Sequence, residues 1–210
     1  SLQAHNQSKK FFKIVTFPKN MPKDIVKNKK LLIGFDPKIN TTKTLNIFFH
    51  QNHFDLKPIK KNLIDEIWKR KIEKTLHNFY YLPNSTVGQN YKSKINKIVS
   101  YIKSKGADYQ LITASENNAW LLNIRGRDEK YSPIPHCYVL ISKNKKIKFF
   151  CDLKKISPSF KRYLSKVNFV KIDKLEEILS KINKKKFIID KNTCSFFFEK
   201  TILKNNKILN

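Results

Sequence analysis

The spacing of apolar positions changes several times along this chain. Between residues 87 and 105, Tyr91, Ile95, Ile98, Val99 and Ile102 recur at three- and four-residue intervals, which predicts an amphipathic helix that Gly106 stops. Shorter apolar runs predict strands at residues 11–17, 30–35, 54–59, 109–113, 137–142, 147–152, 169–172 and 187–190. Helices are expected at 41–50, capped by Thr41 or Thr42, at 115–122, capped by Ser115, and at 160–164 after Ser157-Pro158. Two more are expected at 175–182 and at 195–202, the latter capped by Thr193. Asn144 falls at the tip of the hairpin joining 137–142 to 147–152, where left-handed backbone is tolerated. Residues 60–86 are less regular, with Pro83 and the aromatic knot Phe79-Tyr80-Tyr81, and a domain junction belongs there. Strands alternating with helices imply an α/β fold with a mixed β-sheet flanked by helices.

The net charge of +28 and the pI near 10.0 invite a nucleic-acid reading. The choice of side chain argues the other way. Arg, whose fork reads phosphates and base edges, occurs only at Arg70, Arg125, Arg127 and Arg162. The lysines are spread along the chain, and Lys, Asn, Ile and Phe share AT-rich codons, so compositional bias accounts for the charge. The runs at 143–148 and 184–186 read as solvated loop tips. Nucleic acid is therefore not an expected partner, although weak, salt-sensitive association follows from any such charge.

No apolar run approaches the roughly 18 to 20 residues of a membrane span, and the polar start from Ser1 to Gln7 lacks the apolar core of a secretory leader. Cys137, Cys151 and Cys194 have no metal-ligand spacing. The first two can face each other across the hairpin, but buried, reduced thiols are expected, as suits a cytoplasmic location. His136 adjoins Cys137, yet neighbours on a strand point to opposite faces, which disfavours a thiolate–imidazolium pair. With four glycines in the chain there is no phosphate-binding Gly-rich loop.

The densest polar pattern is Asn123-Ile124-Arg125-Gly126-Arg127-Asp128, directly after the apolar Trp120-Leu121-Leu122. The apolar run is expected to tuck under a sheet. The polar run is expected to form an exposed turn, with Gly126 supplying backbone freedom. Such a loop on a rigid scaffold can recognise a ligand; equally, it can be a structural turn in which Arg125 and Asp128 pair locally.

Residues 112–128, together with Tyr131-Ser132-Pro133, resemble the second domain of Xaa-Pro aminopeptidase (aminopeptidase P), a three-domain creatinase/prolidase-like metallopeptidase. Leu56-Lys57-Pro58-Ile59, followed by Asn62-Leu63-Ile64-Asp65-Glu66-Ile67-Trp68, is similar to the junction of that family's first two domains. Gly34-Phe35-Asp36-Pro37 is similar to a first-domain turn, and Leu2-Gln3-Ala4 to the end of a first-domain strand. The chain departs from the family where Arg127 replaces a small residue, where Asn117-Asn118 stand near a usual acidic pair, and where His136 takes an apolar or aromatic position.

The resemblance implies a division into residues 1–58, the end of a first creatinase-like domain, a junction at 59–86, and a second creatinase-like domain at 87–210. It implies a parent that extends upstream of Ser1 and continues downstream into a catalytic domain. There, two Asp, one His and two Glu hold two manganese or other divalent ions and release the residue before a proline. None of that series is visible here, so the chain itself is expected to lack catalytic residues and metal. Its implied role is to shape substrate access and domain or dimer assembly, with Asn123, Arg125 and Asp128 on a loop facing substrate or a neighbouring domain. The implied partners are the downstream domain, proline-containing peptides and a second copy in a homodimer, with no membrane. Two alternatives stay open: a stand-alone creatinase-like binding module without hydrolase activity, and a basic nucleic-acid-associated protein.

Overall fold

The computed structural model describes residues 2–26, 30–49, 54–68 and 77–209. In chain order the elements are α1 (Leu2–Ser8), α2 (Pro22–Ile25), β1 (Leu31–Phe35), α3 (Thr42–Phe49), β2 (Phe54–Pro58), α4 (Leu63–Ile67), β3 (Tyr80–Tyr81) and α5 (Tyr91–Ser104). They continue with β4 (Tyr109–Ile112), α6 (Ser115–Leu122), β5 (Ile124–Arg125), β6 (Tyr138–Ser142), β7 (Ile147–Cys151) and α7 (Pro158–Tyr163). The last are β8 (Val167–Lys171), α8 (Leu175–Lys181), β9 (Lys186–Ile189), α9 (Phe196–Leu203) and β10 (Lys207–Leu209).

A six-stranded sheet in the order β10-β9-β4-β6-β7-β8 is the frame. β6 runs antiparallel to both of its neighbours; β10, β9 and β4 are mutually parallel, as are β7 and β8. The result is the mixed α/β sheet that the alternating pattern implies. Its interior strands are buried on both faces. Val139, Ile141 and Phe149 meet Ile95, Val99 and Ile102 of α5 on one side. Leu140, Phe150 and Phe187 meet Leu175 and Leu179 of α8 on the other. Phe149 and Phe150 are consecutive and point to opposite layers, as the period of two requires.

Ahead of this frame, β1 and β2 form a parallel pair, and β3 pairs antiparallel with β5, which lies between β4 and β6 in the chain. The front segment meets α9. Phe35 packs edge-on against Phe196 at 5.0 Å, and the amides of Phe196 and Phe197 donate to the carbonyls of Asn40 and Pro37.

Side-chain caps set the starts of several helices, among them α4, α5, α7 and α9. Asn90 accepts from Ser93 N, so α5 starts at Tyr91, the first residue of its apolar period, rather than at the expected 87, and Gly106 (φ 62°) ends it. Thr41 accepts from Thr44 N ahead of α3; the expected last residue of that helix, His50, lies outside the described residues, as do 69–76 of the expected junction.

Several expectations are corrected. Residues 11–17 form no strand, and Leu2-Gln3-Ala4 lie in helix α1. Ala114, with no side-chain bond, precedes α6 in place of Ser115. Ser195, not Thr193, caps α9 by accepting from Phe198 N. At the hairpin tip Lys145, not Asn144, takes the left-handed backbone (φ 60°). β10 and the β3–β5 ribbon are too short to show a period. Trp120 does not tuck under the sheet; it is 60% exposed, while Leu121 and Leu122 are buried.

Candidate functional site

Helix α6 ends on Asn123, whose left-handed backbone (φ 54°, ψ 39°) returns its N–H to the carbonyls of Ala119 and Trp120. An Asn tolerates this geometry better than most side chains. Here its amide is also used. Its Nδ2 donates to the Gln89 carbonyl at 2.9 Å, and its Oδ1 accepts from Lys94 Nζ at 2.7 Å. Leu82 N donates to the Asn123 carbonyl. The residue is buried and ties the start of α5 and the chain after β3 to the end of α6.

Lys94 is the unusual partner. It is buried, and its ammonium donates to the Trp120 carbonyl at 2.6 Å and lies 4.1 Å from the centroid of the Trp120 ring. Burial pushes the Lys94 pKa down from the ordinary lysine value, and the nearby Arg125 charge adds to that. A carbonyl, an amide oxygen and an indole face take the place of a counter-ion.

Arg125 pairs with Tyr80 through the β3–β5 ribbon, and its guanidinium donates to the carbonyls of Ile124 (2.8 Å) and Ala119 (3.4 Å). The local Arg125–Asp128 pair is not formed. The Asp128 side chain is 2% exposed, and its Oδ1 is ion-paired with Lys155 Nζ. Its Oδ2 accepts from His136 N at 2.7 Å. Gly126 serves close approach, not freedom of φ: a Cβ there would sit 2.7 Å from Pro135 Cα. Of the three residues singled out on the loop, Asn123 and Asp128 are turned inward as fasteners, and Arg125 is half-buried against backbone.

The outward face of the loop belongs to residues the sequence pattern did not select. His77, Tyr80, Arg127, Glu129, Lys130 and Tyr131 border an open hollow of about 440 Å³. Tyr131 is 88% exposed. Glu129 Oε1 lies 2.6 Å from His136 Nε2, with both side chains more than half exposed. The signal in the sequence was the charged, aromatic run 129–131 before two prolines; it was outweighed by the more conspicuous Arg-Gly turn.

Asp128, Glu129 and His136 are the tightest gathering of metal-ligand residue types at this loop. They do not suit a divalent ion, because Lys155 and an amide N–H already take both Asp128 oxygens. Among the described residues no group of three His, Cys, Asp or Glu side chains could hold a metal. The cysteines are no better placed for covalent chemistry. All three are free and buried; desolvation raises Cys137 well above the ordinary thiol value and Cys151 and Cys194 to about 12. No described helix is long and apolar enough to cross a membrane.

Comparison with known proteins fits this geometry. Residues 70–210 match the family model described as the creatinase/prolidase N-terminal domain. Aminopeptidase P1 of Lotus japonicus is 27% identical over 139 residues, covering 65% of this chain and 21% of that protein. The Xaa-Pro aminopeptidase ApepP of Drosophila melanogaster is 28% identical over 161 residues, covering 75% of this chain and 25% of that protein. The chain thus spans about a fifth to a quarter of these curated relatives. The crystal structure of an X-prolyl aminopeptidase from Caenorhabditis elegans, described as a cytosolic enzyme with a di-nuclear active site, superposes with a TM-score of 0.74 at 21% identity. It covers 86% of this chain and 31% of that one. The chain belongs to the creatinase/prolidase N-terminal domain family, and its relatives place it with the aminopeptidase P members.

Proposed function

We propose that this chain is the non-catalytic front of an Xaa-Pro aminopeptidase-like metallopeptidase. Residues 1–58 close a first creatinase-like domain, 59–86 are the junction, and 87–210 are the second domain. The observation that carries this reading is the family match over residues 70–210, which is to the amino-terminal domain of creatinase and prolidase proteins. The low share of each relative's length that the chain spans supports it. Hydrolysis belongs to a downstream domain holding two divalent ions, manganese by expectation, and the whole protein works in the cytoplasm. This front shapes access for peptides with proline in second place and helps to seat domains or a second copy. The outward face of the loop, with Arg127, Glu129 and Tyr131, is the surface for that work. Asn123, Arg125 and Asp128 contribute by fixing the loop.

Sequencing the source gene on both sides of the segment tests the reading. An open frame that continues with the Asp, Asp, His, Glu, Glu series supports it. A stop directly after Asn210 replaces it with a stand-alone binding module. On the protein itself, added manganese is expected to leave the melting temperature unchanged, since a site formed only in the folded state would raise it. Turnover of a Xaa-Pro peptide by the clean chain would overturn the assignment of chemistry elsewhere.

A further inference from the structure

The sheet gathers lysines that are scattered in sequence. β4, β7, β8, β9 and β10 all begin at one end of the sheet, where β6 finishes. The connections entering that end carry Lys103 in the last turn of α5 and Lys105 after it, Lys143, Lys145 and Lys146 in the β6–β7 turn, and Lys166 before β8. They also carry Lys184 and Lys185 before β9 and Lys186 at its first position, and Lys204 and Lys207 around the start of β10. Each of these lysines is exposed. In the same connecting segments one carboxylate occurs, Asp108, and it is already engaged by Lys143 at 2.8 Å and by the Lys186 amide. Asp128, Asp152 and Asp190 lie towards the opposite end. Lys184, Lys185, Lys186, Lys204 and Lys207 line a hollow of about 460 Å³.

We propose that this end of the sheet is a docking surface for double-stranded nucleic acid, held through its phosphates without reading the bases. Compositional bias explains how many lysines the chain has. It does not explain why the topology places them together with so little opposing charge. Six strands at about 4.8 Å spacing span roughly 24 Å, enough to lie along about seven phosphates of one strand. That length suits a polymer better than a small anion. Lysines without arginine forks neutralise phosphates and carry no base-edge code. Single strands need free aromatic platforms, and Tyr109 at this end is already stacked on Phe187 at 5.2 Å. Firm binding to a lipid surface adds inserted apolar side chains to charge, and among the residues lining the hollow Leu203 alone is apolar. This surface is independent of the peptidase reading and lies at the opposite end of the sheet from the 123–131 loop.

Fluorescence anisotropy with a labelled duplex of about 24 base pairs, titrated between about 50 and 200 mM salt, tests the proposal. One variant combines Lys184→Gln, Lys185→Gln, Lys204→Gln and Lys207→Gln. The control removes the same charge elsewhere, with Lys38→Gln, Lys130→Gln, Lys154→Gln and Lys171→Gln. The first variant is expected to lose at least about tenfold in affinity and to flatten the log–log salt slope by about 3. The control is expected to lose less than about threefold, and a scrambled duplex to bind as well as the original. Equal losses in the two variants would reduce the effect to net charge and overturn the site. Tighter binding to phosphatidylserine vesicles than to the duplex would overturn the nucleic-acid assignment in favour of a membrane. Equally strong competition by poly-glutamate would overturn it in favour of an acidic protein.

Discussion

Residues 77–209 and the segment ahead of them draw on the same bulky side chains and leave them in different states. In the six-stranded unit Phe149, Phe150, Phe160 and Phe187 are fully buried. In the front segment Phe11 and Phe12 remain 74% and 70% exposed. The larger unit has helices on both faces of a wide sheet, so each strand residue finds a layer to enter. The front offers a two-stranded parallel pair and short helices, and Phe35 and Leu45 are its buried apolar residues among those described. Apolar content alone does not make a core; a second layer does. The front is held instead by particular contacts on α9, among them Thr42 Oγ1 donating to Glu199 Oε2 at 2.5 Å.

That contrast can be broken first by removing one ring from each region. Phe149 touches the rings of Phe79, Phe160 and Phe169. Phe149→Ala is expected to cost about 3–5 kcal/mol, whereas Phe12→Ala should change stability by less than about 0.5 kcal/mol. Urea unfolding measures both, and similar losses would erase the distinction.

The next effect concerns Lys94. Lys94→Ala strands the Trp120 carbonyl and the Asn123 amide oxygen and is expected to cost about 2–3 kcal/mol. Because the folded state holds this proton less tightly than the unfolded chain, stability at this position rises as pH climbs from the depressed folded pKa towards the ordinary lysine value near 10.4. The parent chain should therefore gain on Lys94→Ala across that alkaline window. A constant gap would mean that the ammonium is not desolvated.

Cutting the link between the regions comes third. Thr42→Val is expected to cost about 1 kcal/mol, felt locally. Amide exchange in α3 should quicken while the main unfolding midpoint barely moves. An equal shift of both would show that front and back unfold as one unit. The smallest effect belongs to the left-handed Lys145 (φ 60°). Lys145→Gly should stabilise by no more than about 1 kcal/mol, since glycine's greater unfolded entropy offsets part of the relief.

The alternating strands and helices after residue 87 could be read from the sequence because their signals are local. Ile95, Val99 and Ile102 mark a helix face by spacing alone, and Ser157-Pro158 and Gly106 mark ends by side-chain and backbone chemistry. The front was misread at residues 11–17 because an apolar run without a neighbouring strand looks the same as one with a neighbour. The loop was legible as a feature but not as an arrangement. The pattern selected Asn123, Arg125 and Asp128, and the outward residues Arg127, Glu129 and Tyr131 went unselected.

Period by itself determined most element types after residue 87 and the mixed α/β class, and short residue motifs carried the family resemblance, because these depend on residues close together in the chain. Tertiary structure alone decided which way the loop side chains face, since Asn123 answers to Lys94 and Asp128 to Lys155, partners nearly thirty residues away. It also decided that the lysines share one end of the sheet. A strand's start is a local event, but the alignment of five such starts is set only by the ladder that joins them.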